Sequence, residues 1–180
     1  MGKQGPMSTL LQAVWAKMSS QGRVLAIYLN KGRHYFKLPA KTISGVQKEE
    51  TMSVEAIQTV KAPAAIGPYS QAIRANGFVF VSGQIPIDPE TGEIASGDFS
   101  GQARRSLENL KQVLIASGVG LDKVVAVDVF ITDIAQFLVF NKVYEEYFSA
   151  HKPARAVVEV KGLPRGVMVE VKCIAVAPPA

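Results

Sequence analysis

Cysteine is almost absent from this chain of 180 residues, and this absence excludes a disulfide framework. The one cysteine, Cys173, lies in an apolar stretch, and a single thiol fits a reducing compartment. Histidine is nearly as rare. His34 and His151 lie far apart, with no cysteine or carboxylate at ligand spacing, so we expect no metal site. No apolar run approaches the roughly 20 residues that span a bilayer, so we expect no membrane partner.

Acidic residues are missing from the first 48 positions, which hold eight lysines and arginines. The formal net charge of +5 belongs to this segment, because the chain from Met52 onward has 12 basic and 13 acidic residues. The net charge therefore gives no support for a nucleic-acid-binding surface on the larger part of the chain. We expect no nucleic-acid partner.

Residues 1–51 predict an N-terminal extension outside the functional domain. One interpretation is a mitochondrial or plastid transit peptide, because a basic leader without acids and with an apolar helical stripe is typical of organelle import. We favour a second interpretation, a mis-assigned start: residues 48–52 (Lys-Glu-Glu-Thr-Met) can be encoded by a bacterial ribosome-binding sequence followed by a start codon. The protein would then be cytoplasmic. On either interpretation we expect residues 1–51 to be poorly packed and unstructured, and residues 52–180 to form the functional domain.

From residue 52 onward, hydrophobic patterning predicts the element order β, β, α, β, α, β, β. Helices are expected over residues 98–117 and 133–148, with Asp98 and Asp133 as caps. Strands are expected at residues 53–60, 78–85, 124–131, 155–160 and 167–176. Two helices over one face of a sheet are the economical packing, so the predicted fold class is α/β (α+β).

Alternation along the last two strands predicts which side chains share a face. Arg155 and Val157 alternate with an apolar row on their strand, and Glu170 lies on the mixed side of the next strand. Because the uniformly apolar sides are expected to meet the helices, Arg155 and Glu170 are predicted together on the uncovered face. Self-association would bury such a face and leave a pocket at a subunit boundary.

Arg155 and Glu170 allow two interpretations. Arginine keeps its charge, and its fork geometry suits a carboxylate, which points to a small anionic substrate. In a random globular protein, however, a lone Arg and Glu on antiparallel strands more often form a cross-strand salt bridge. The residues alone leave both interpretations open. Cys173 is expected to be a core residue and not a nucleophile.

Several motifs resemble, in order and spacing, the RidA (YjgF) family of reactive-intermediate deaminases. The resemblance runs from about residue 57 to residue 176. The motifs are Ala-Pro-Ala-Ala-Ile-Gly-Pro-Tyr-Ser-Gln-Ala at 62–72, Ser-Gly-Gln-Ile-Pro at 82–86, residues 102–109, Pro-Ala-Arg at 153–155, Leu-Pro at 163–164, Val-Glu at 169–170 and Ile-Ala-Val at 174–176. The resemblance implies a chorismate-mutase-like single domain, with a mixed sheet and two helices on one face. It also implies a homotrimer with three clefts between subunits.

The resemblance implies hydrolysis of reactive enamines and imines without a cofactor. Substrates would be 2-aminoacrylate, 2-iminopropanoate and 2-iminobutanoate, released by pyridoxal-phosphate-dependent (PLP-dependent) dehydratases, and the products 2-keto acids and ammonia. Arg155 would hold the substrate carboxylate, and Glu170 would position or activate the attacking water. The backbone at Gly83 and Val157 would contact the imine nitrogen. The side chains that would line the cleft are Tyr69, Ser82 and Asn141.

Val157 departs from the family pattern, because many members have cysteine there. A mechanism that requires this thiol cannot operate here, although a backbone contact would survive. The alternative function is a non-catalytic trimer that binds 2-keto acids or regulates in response to them. Ribonuclease roles have also been suggested within the family, but the near-neutral charge after residue 51 counts against RNA binding.

Overall fold

The computed structural model describes residues 26–30, 33–37, 54–95 and 97–177. The chain divides into two compact units, Met1–Glu50 and Thr51–Ala180. The described part of the first unit is an antiparallel hairpin of strands β1 (Ala26–Asn30) and β2 (Arg33–Lys37), which the sequence does not predict. The remainder of the predicted extension lies outside the described residues, so its lack of packing stays a prediction.

The second unit is built on a six-stranded mixed sheet with the strand order β3-β4-β5-β8-β6-β7. Neighbouring strands are antiparallel except for β6 and β7, which are parallel. The strands are β3 (Val54–Ile57), β4 (Ala72–Ala75), β5 (Phe78–Gln84), β6 (Val124–Ile131), β7 (Ala154–Glu159) and β8 (Val169–Val176). The mixed sheet is the one expected from the family resemblance.

Strand β4 is an element that the sequence does not predict. Its residues, Ala-Ile-Arg-Ala, have little β-branched or aromatic content, so propensity gives no strand signal. A two-residue turn at Asn76 and Gly77, with φ of 50° and 74°, joins β4 to β5. Asn-Gly favours this turn because both residues tolerate positive φ. The Asn-Gly pair was therefore the signal for a hairpin here.

Two helices complete the unit. Helix α1 (Phe99–Ala116) begins after Asp98, whose carboxylate accepts a hydrogen bond from the Gly101 backbone N–H at 3.0 Å, which confirms the predicted cap. Helix α2 (Phe137–Tyr147) begins later than predicted. Asp133 caps a short 3-10 turn, Ile134–Gln136, that precedes it, by accepting from the Ala135 N–H.

The core lies between the helices and one face of the sheet. Alternate residues of the central strands β6 and β8 are buried, and the leucines of α1 pack onto them. The opposite face stays uncovered, and its aromatic and aliphatic side chains are exposed, including Phe78 at 41% and Phe80 at 44%. Within the described ranges no helix is both long and apolar enough to cross a membrane.

Candidate active site

A β-bulge interrupts strand β5 beside β8. Val81 pairs with Cys173 and Gln84 pairs with Val171, so two residues of β5, Ser82 and Gly83, stand opposite one residue of β8. Bulges of this kind occur often next to active sites, where they redirect the chain.

The bulge brings the Gly83 backbone against the carboxylate of Glu170. A Cβ atom built on Gly83 would lie 1.9 Å from Glu170 Oε1 and 2.7 Å from its Cδ. Both distances are far below van der Waals contact, so a glycine is needed for the carboxylate to occupy this position. The glycine serves here through its missing side chain and not through an unusual φ.

A cleft of about 440 Å³ opens beside the bulge. It brings together four of the residues that the resemblance predicts for the site: Tyr69, Ser82, Gly83 and Glu170. The other lining residues are Ile66, Gly67, Ile85 and Pro164. The cleft therefore combines apolar walls with a single acidic group.

Burial raises the pKa of Glu170 above its ordinary value, and the nearby charge of Lys172 lowers it in part. Lys172 does not neutralise the carboxylate directly, because its ammonium pairs with Asp128 at 3.3 Å. A half-buried carboxyl with a raised pKa can accept and return a proton closer to neutral pH than an exposed one.

The polar groups around the cleft differ in how strongly they are hydrogen-bonded within the protein. The Ser82 hydroxyl donates to the Ser70 carbonyl oxygen at 2.7 Å and so ties β5 to the preceding loop. Tyr69 is 47% exposed, and its hydroxyl accepts a long 3.4 Å hydrogen bond from the Ile66 N–H. Ser82 is therefore held in a structural bond, whereas Tyr69 remains accessible to a ligand.

Gln71 anchors the loop that carries Tyr69, a role that sequence reasoning missed. It is 3% exposed, and its side-chain amide donates to the carbonyl oxygens of Thr59, Ala62 and Pro63 while accepting from the Thr59 N–H. Its position two residues after Tyr69, in a loop with two prolines, was the available signal.

A second cluster forms around Arg155. Its Nη2 donates to Asn141 Oδ1 of α2 at 2.8 Å, and its guanidinium lies against aromatic rings of the same helix. Val157, two residues further along β7, is partly buried against the core. The structure thus brings together the remaining three predicted site residues, Arg155, Asn141 and Val157, apart from the cleft.

This placement corrects the prediction that Arg155 and Glu170 share the uncovered face. Arg155 pairs with Val127 of β6 and Glu170 pairs with Phe130, an odd number of residues further along. Because side chains alternate along a strand, the two charged groups project from opposite faces of the sheet. Arg155 is tolerated on the helix side because aromatic ring faces of α2 attract its guanidinium.

The topology also decides between the two interpretations of this pair. Strand β6 separates β7 from β8, so Arg155 and Glu170 are not cross-strand neighbours. A cross-strand salt bridge between them within one chain is therefore excluded. The two clusters together hold every predicted site residue, but one chain does not join them. The described residues contain no group of three or more His, Cys, Asp or Glu side chains that could hold a metal ion.

Comparison with known proteins agrees with this architecture. The family model for endoribonuclease L-PSP matches residues 59–177. A RutC family protein of Pyrococcus abyssi is 52% identical over 124 residues, which cover 69% of this chain and 98% of the relative. The crystal structure of a candidate endoribonuclease from Thermotoga maritima is 50% identical and has a TM-score of 0.68, covering 69% of this chain and 98% of that one.

A third relative is TdcF of Escherichia coli, which is named as a candidate reactive intermediate deaminase. Its sequence is 45% identical over 123 residues, 67% of this chain and 95% of the relative. Its crystal structure with bound serine has a TM-score of 0.66 at 43% identity and covers 69% of this chain and 99% of that one. With a family model that matches about two thirds of the sequence, the chain belongs to the endoribonuclease L-PSP family, also known as the YjgF/RidA/RutC family.

Proposed function

We propose that this protein hydrolyses small reactive imines and enamines, such as 2-iminopropanoate, 2-iminobutanoate and 2-aminoacrylate, to 2-keto acids and ammonia. The observation that carries the proposal is the environment of Arg155. Its charge is held by ring faces and by one amide oxygen, and none of the ion pairs found in the described part of the chain includes it. Its remaining N–H groups suit the carboxylate of a substrate.

The complete site would form between subunits of a homotrimer. Arg155, Asn141 and Val157 of one subunit would face the cleft that Glu170 lines in its neighbour. Two observations support this arrangement: the two clusters lie on opposite faces of one sheet, and the uncovered face carries exposed aromatic and aliphatic side chains that association would bury. A repeated contact between identical chains would create the same composite site at each boundary.

The chemistry requires few groups because an imine carbon is already electrophilic. An enamine such as 2-aminoacrylate first tautomerises to the imine. Water then adds to the imine carbon, Glu170 accepts a proton from that water, and the nitrogen gains a proton. The carbinolamine hydroxyl then loses its proton, the amino nitrogen gains one, and the C–N bond breaks to release ammonia and the 2-keto acid. Positioning and a proton relay supply the catalysis, and no cofactor enters the balance.

The lining of the cleft counts against RNA as a ligand. Its charged group is an acid, Glu170, and its aromatic side chain is a single tyrosine, so it lacks the basic groups and the several stacking rings that bind RNA. The serine bound in TdcF is a small molecule with a carboxylate and an amino group on one carbon. That relative supports the same ligand class here. The alternative, a trimer that binds 2-keto acids without turnover, would use the same contact between Arg155 and the ligand carboxylate.

The test couples the protein to a PLP-dependent dehydratase that releases 2-aminoacrylate from serine. We expect the wild type to shorten the lifetime of the intermediate and to speed pyruvate release. Arg155→Ala should lose at least about 100-fold in kcat/KM, because a charge-assisted paired contact is removed. Arg104→Ala, which removes an exposed arginine of α1, is the matched control.

Two outcomes would overturn the proposal. If the wild type leaves the lifetime of 2-aminoacrylate unchanged but binds 2-oxobutanoate, the non-catalytic alternative is correct. If labelled single-stranded RNA is cleaved while the imine is untouched, the protein is a nuclease.

A further inference from the structure

Arg155 rests on an aromatic platform formed by helix α2. Its Cζ atom lies 4.5 Å from the ring centroid of Tyr144 and 5.9 Å from the centroids of both Phe137 and Phe140. A guanidinium within about 6 Å of a ring face is attracted by the ring quadrupole. Successive spacings of three and four residues place the three rings on one side of the helix.

Tyr144 is the best-held member of this platform. It is 9% exposed and stacks on Phe148, with ring centroids 4.5 Å apart and an interplanar angle of 24°. Phe140 packs against it from another direction, at 5.6 Å between centroids. Because both neighbours are buried, the Tyr144 ring cannot move away from the guanidinium without disturbing the core.

The ring and Asn141 constrain Arg155 in different ways. The ring face fixes the distance of the guanidinium from the helix, and the Asn141 oxygen fixes its rotation through the 2.8 Å hydrogen bond to Nη2. An acidic partner would occupy the N–H edges of the fork. A ring face stabilises the charge and leaves those edges available.

The hydroxyl of Tyr144 does not explain why an aromatic residue stands here. It is buried and has no hydrogen-bond partner within the described ranges. Burial raises the pKa of this phenol to about 12, so it stays neutral and contributes no charge to the cluster. The ring is therefore the part of Tyr144 that acts on Arg155.

We propose that Tyr144 is a positioning residue that sets the carboxylate selectivity of the site by acting through Arg155, without touching the ligand. This inference rests on the proposed function, because it assumes that Arg155 receives a carboxylate. It divides the residues of α2 into two groups. Tyr144 and Asn141 position the guanidinium of Arg155, and the other group packs the core.

The test compares a charged and an uncharged ligand of nearly equal shape, 2-oxobutanoate and 2-oxobutanamide, by titration calorimetry with the full-length protein. Tyr144→Met fills most of the volume without a ring face. It should weaken 2-oxobutanoate binding about tenfold and leave the amide unchanged. With 2-iminobutanoate generated in place, KM should rise by a similar factor while kcat stays within about twofold. Tyr144→Phe keeps the ring and should behave as the wild type.

Phe99→Met is the matched control, because it removes a buried ring of α1 that is found neither around Arg155 nor against Tyr144. It should lower the melting temperature as much as Tyr144→Met and keep the selectivity of the wild type. If Tyr144→Met fails to fold, Phe137→Leu tests the same idea at a half-buried ring and should weaken only the carboxylate ligand, by a smaller factor.

Equal losses for both ligands in Tyr144→Met, or the same selectivity loss in Phe99→Met, would overturn the inference and indicate general loss of packing. A loss in Tyr144→Phe would show that the hydroxyl acts instead. The proposed function fails separately: it fails if Arg155→Ala keeps the preference for 2-oxobutanoate over its amide. If Arg155→Ala loses this preference while Tyr144→Met keeps it, only the role of Tyr144 is disproved.

Discussion

At the scale of single residues, the approach of Gly83 to Glu170 links a backbone position to the reactive group of the cleft. The carboxylate occupies the space where any other residue would place its Cβ. The atoms that would clash are the far end of a side chain with several rotatable bonds. A substitution at Gly83 would therefore displace the carboxylate more easily than it would unfold the protein.

Gly83→Ala should separate activity from stability. We expect hydrolysis to fall at least about tenfold while the free energy of unfolding changes by about 1 kcal/mol or less, because the Glu170 carboxylate can rotate away. Kinetics and urea denaturation measure the two effects. Gly162→Ala is the control, since an added Cβ there meets no atom within 4 Å. A large stability loss with an unchanged rate would contradict the role given to Gly83.

The pKa of Glu170 gives a pH dependence with a definite sign. Burial raises the pKa of this carboxyl above 4.5, so its contribution to stability is fully present below that pH and is lost as pH rises through the raised pKa. Glu170→Gln cannot ionise, so its melting temperature relative to the wild type should increase between pH 4 and pH 7. Thermal melts across this range measure the difference, with Glu145→Gln of α2 as the exposed control. A difference in melting temperature that stays constant with pH would show that ionisation of Glu170 does not destabilise the folded protein.

The motifs of the sequence supplied the seven candidate site residues, whose roles stay predictions, but did not show how these residues are divided between the faces of the sheet. Prediction from periodicity makes two assumptions. The first is that a strand is regular, and the second is that no charged side chain lies on a sheet face covered by helices. Arg155 violates the second assumption, because the rings of Tyr144 and its neighbours compensate its charge. The bulge at Gly83 violates the first, because one extra residue in β5 is visible only once β8 is its partner.

At the scale of elements, the sequence predicts the long and strongly patterned segments best. Helix α1 and strand β6 agree with their predicted positions within one residue at each end, because each has both a clear period and a clear boundary signal. Strand β4 lacks such a pattern and is held by pairing with β3 and β5 on either side. Its existence depends on tertiary context, which propensity does not contain.

The cap of helix α1 is a local interaction whose contribution can be measured. Asp98→Ala removes the acceptor for the Gly101 N–H and should lower the free energy of unfolding by about 1 kcal/mol. Asp98→Asn keeps a side-chain acceptor and should retain most of that stability. Urea denaturation of the three proteins gives the comparison. Equal losses in both variants would indicate that charge at the helix start, and not the hydrogen bond, is responsible.

At the scale of the whole molecule, the separation of the two clusters predicts complementation between inactive chains. Arg155→Ala and Glu170→Gln should each be inactive alone. When the two chains are mixed and reassembled, about a quarter of the composite sites combine an intact arginine with an intact glutamate from different subunits. We expect about that fraction of wild-type activity, and mass measurement in solution should give a trimer.

Each outcome of the mixing experiment bears on the arrangement. A control mixture of Arg155→Ala with Asn141→Ala should stay inactive, because both changes lie in one cluster. Absence of recovery in the first mixture, with assembly confirmed, would place both residues in a site of a single subunit. A monomer in solution would leave the composite site unformed.

The position of Arg155 and Glu170 on opposite faces of one sheet also links assembly to ligand concentration. If a substrate bridges the two groups across a boundary, it binds associated chains and not isolated ones. By mass action, the ligand then favours association, and dilution lowers turnover per chain steeply once subunits separate. The apparent affinity of the protein for its own copies would consequently depend on the supply of the compound that it consumes.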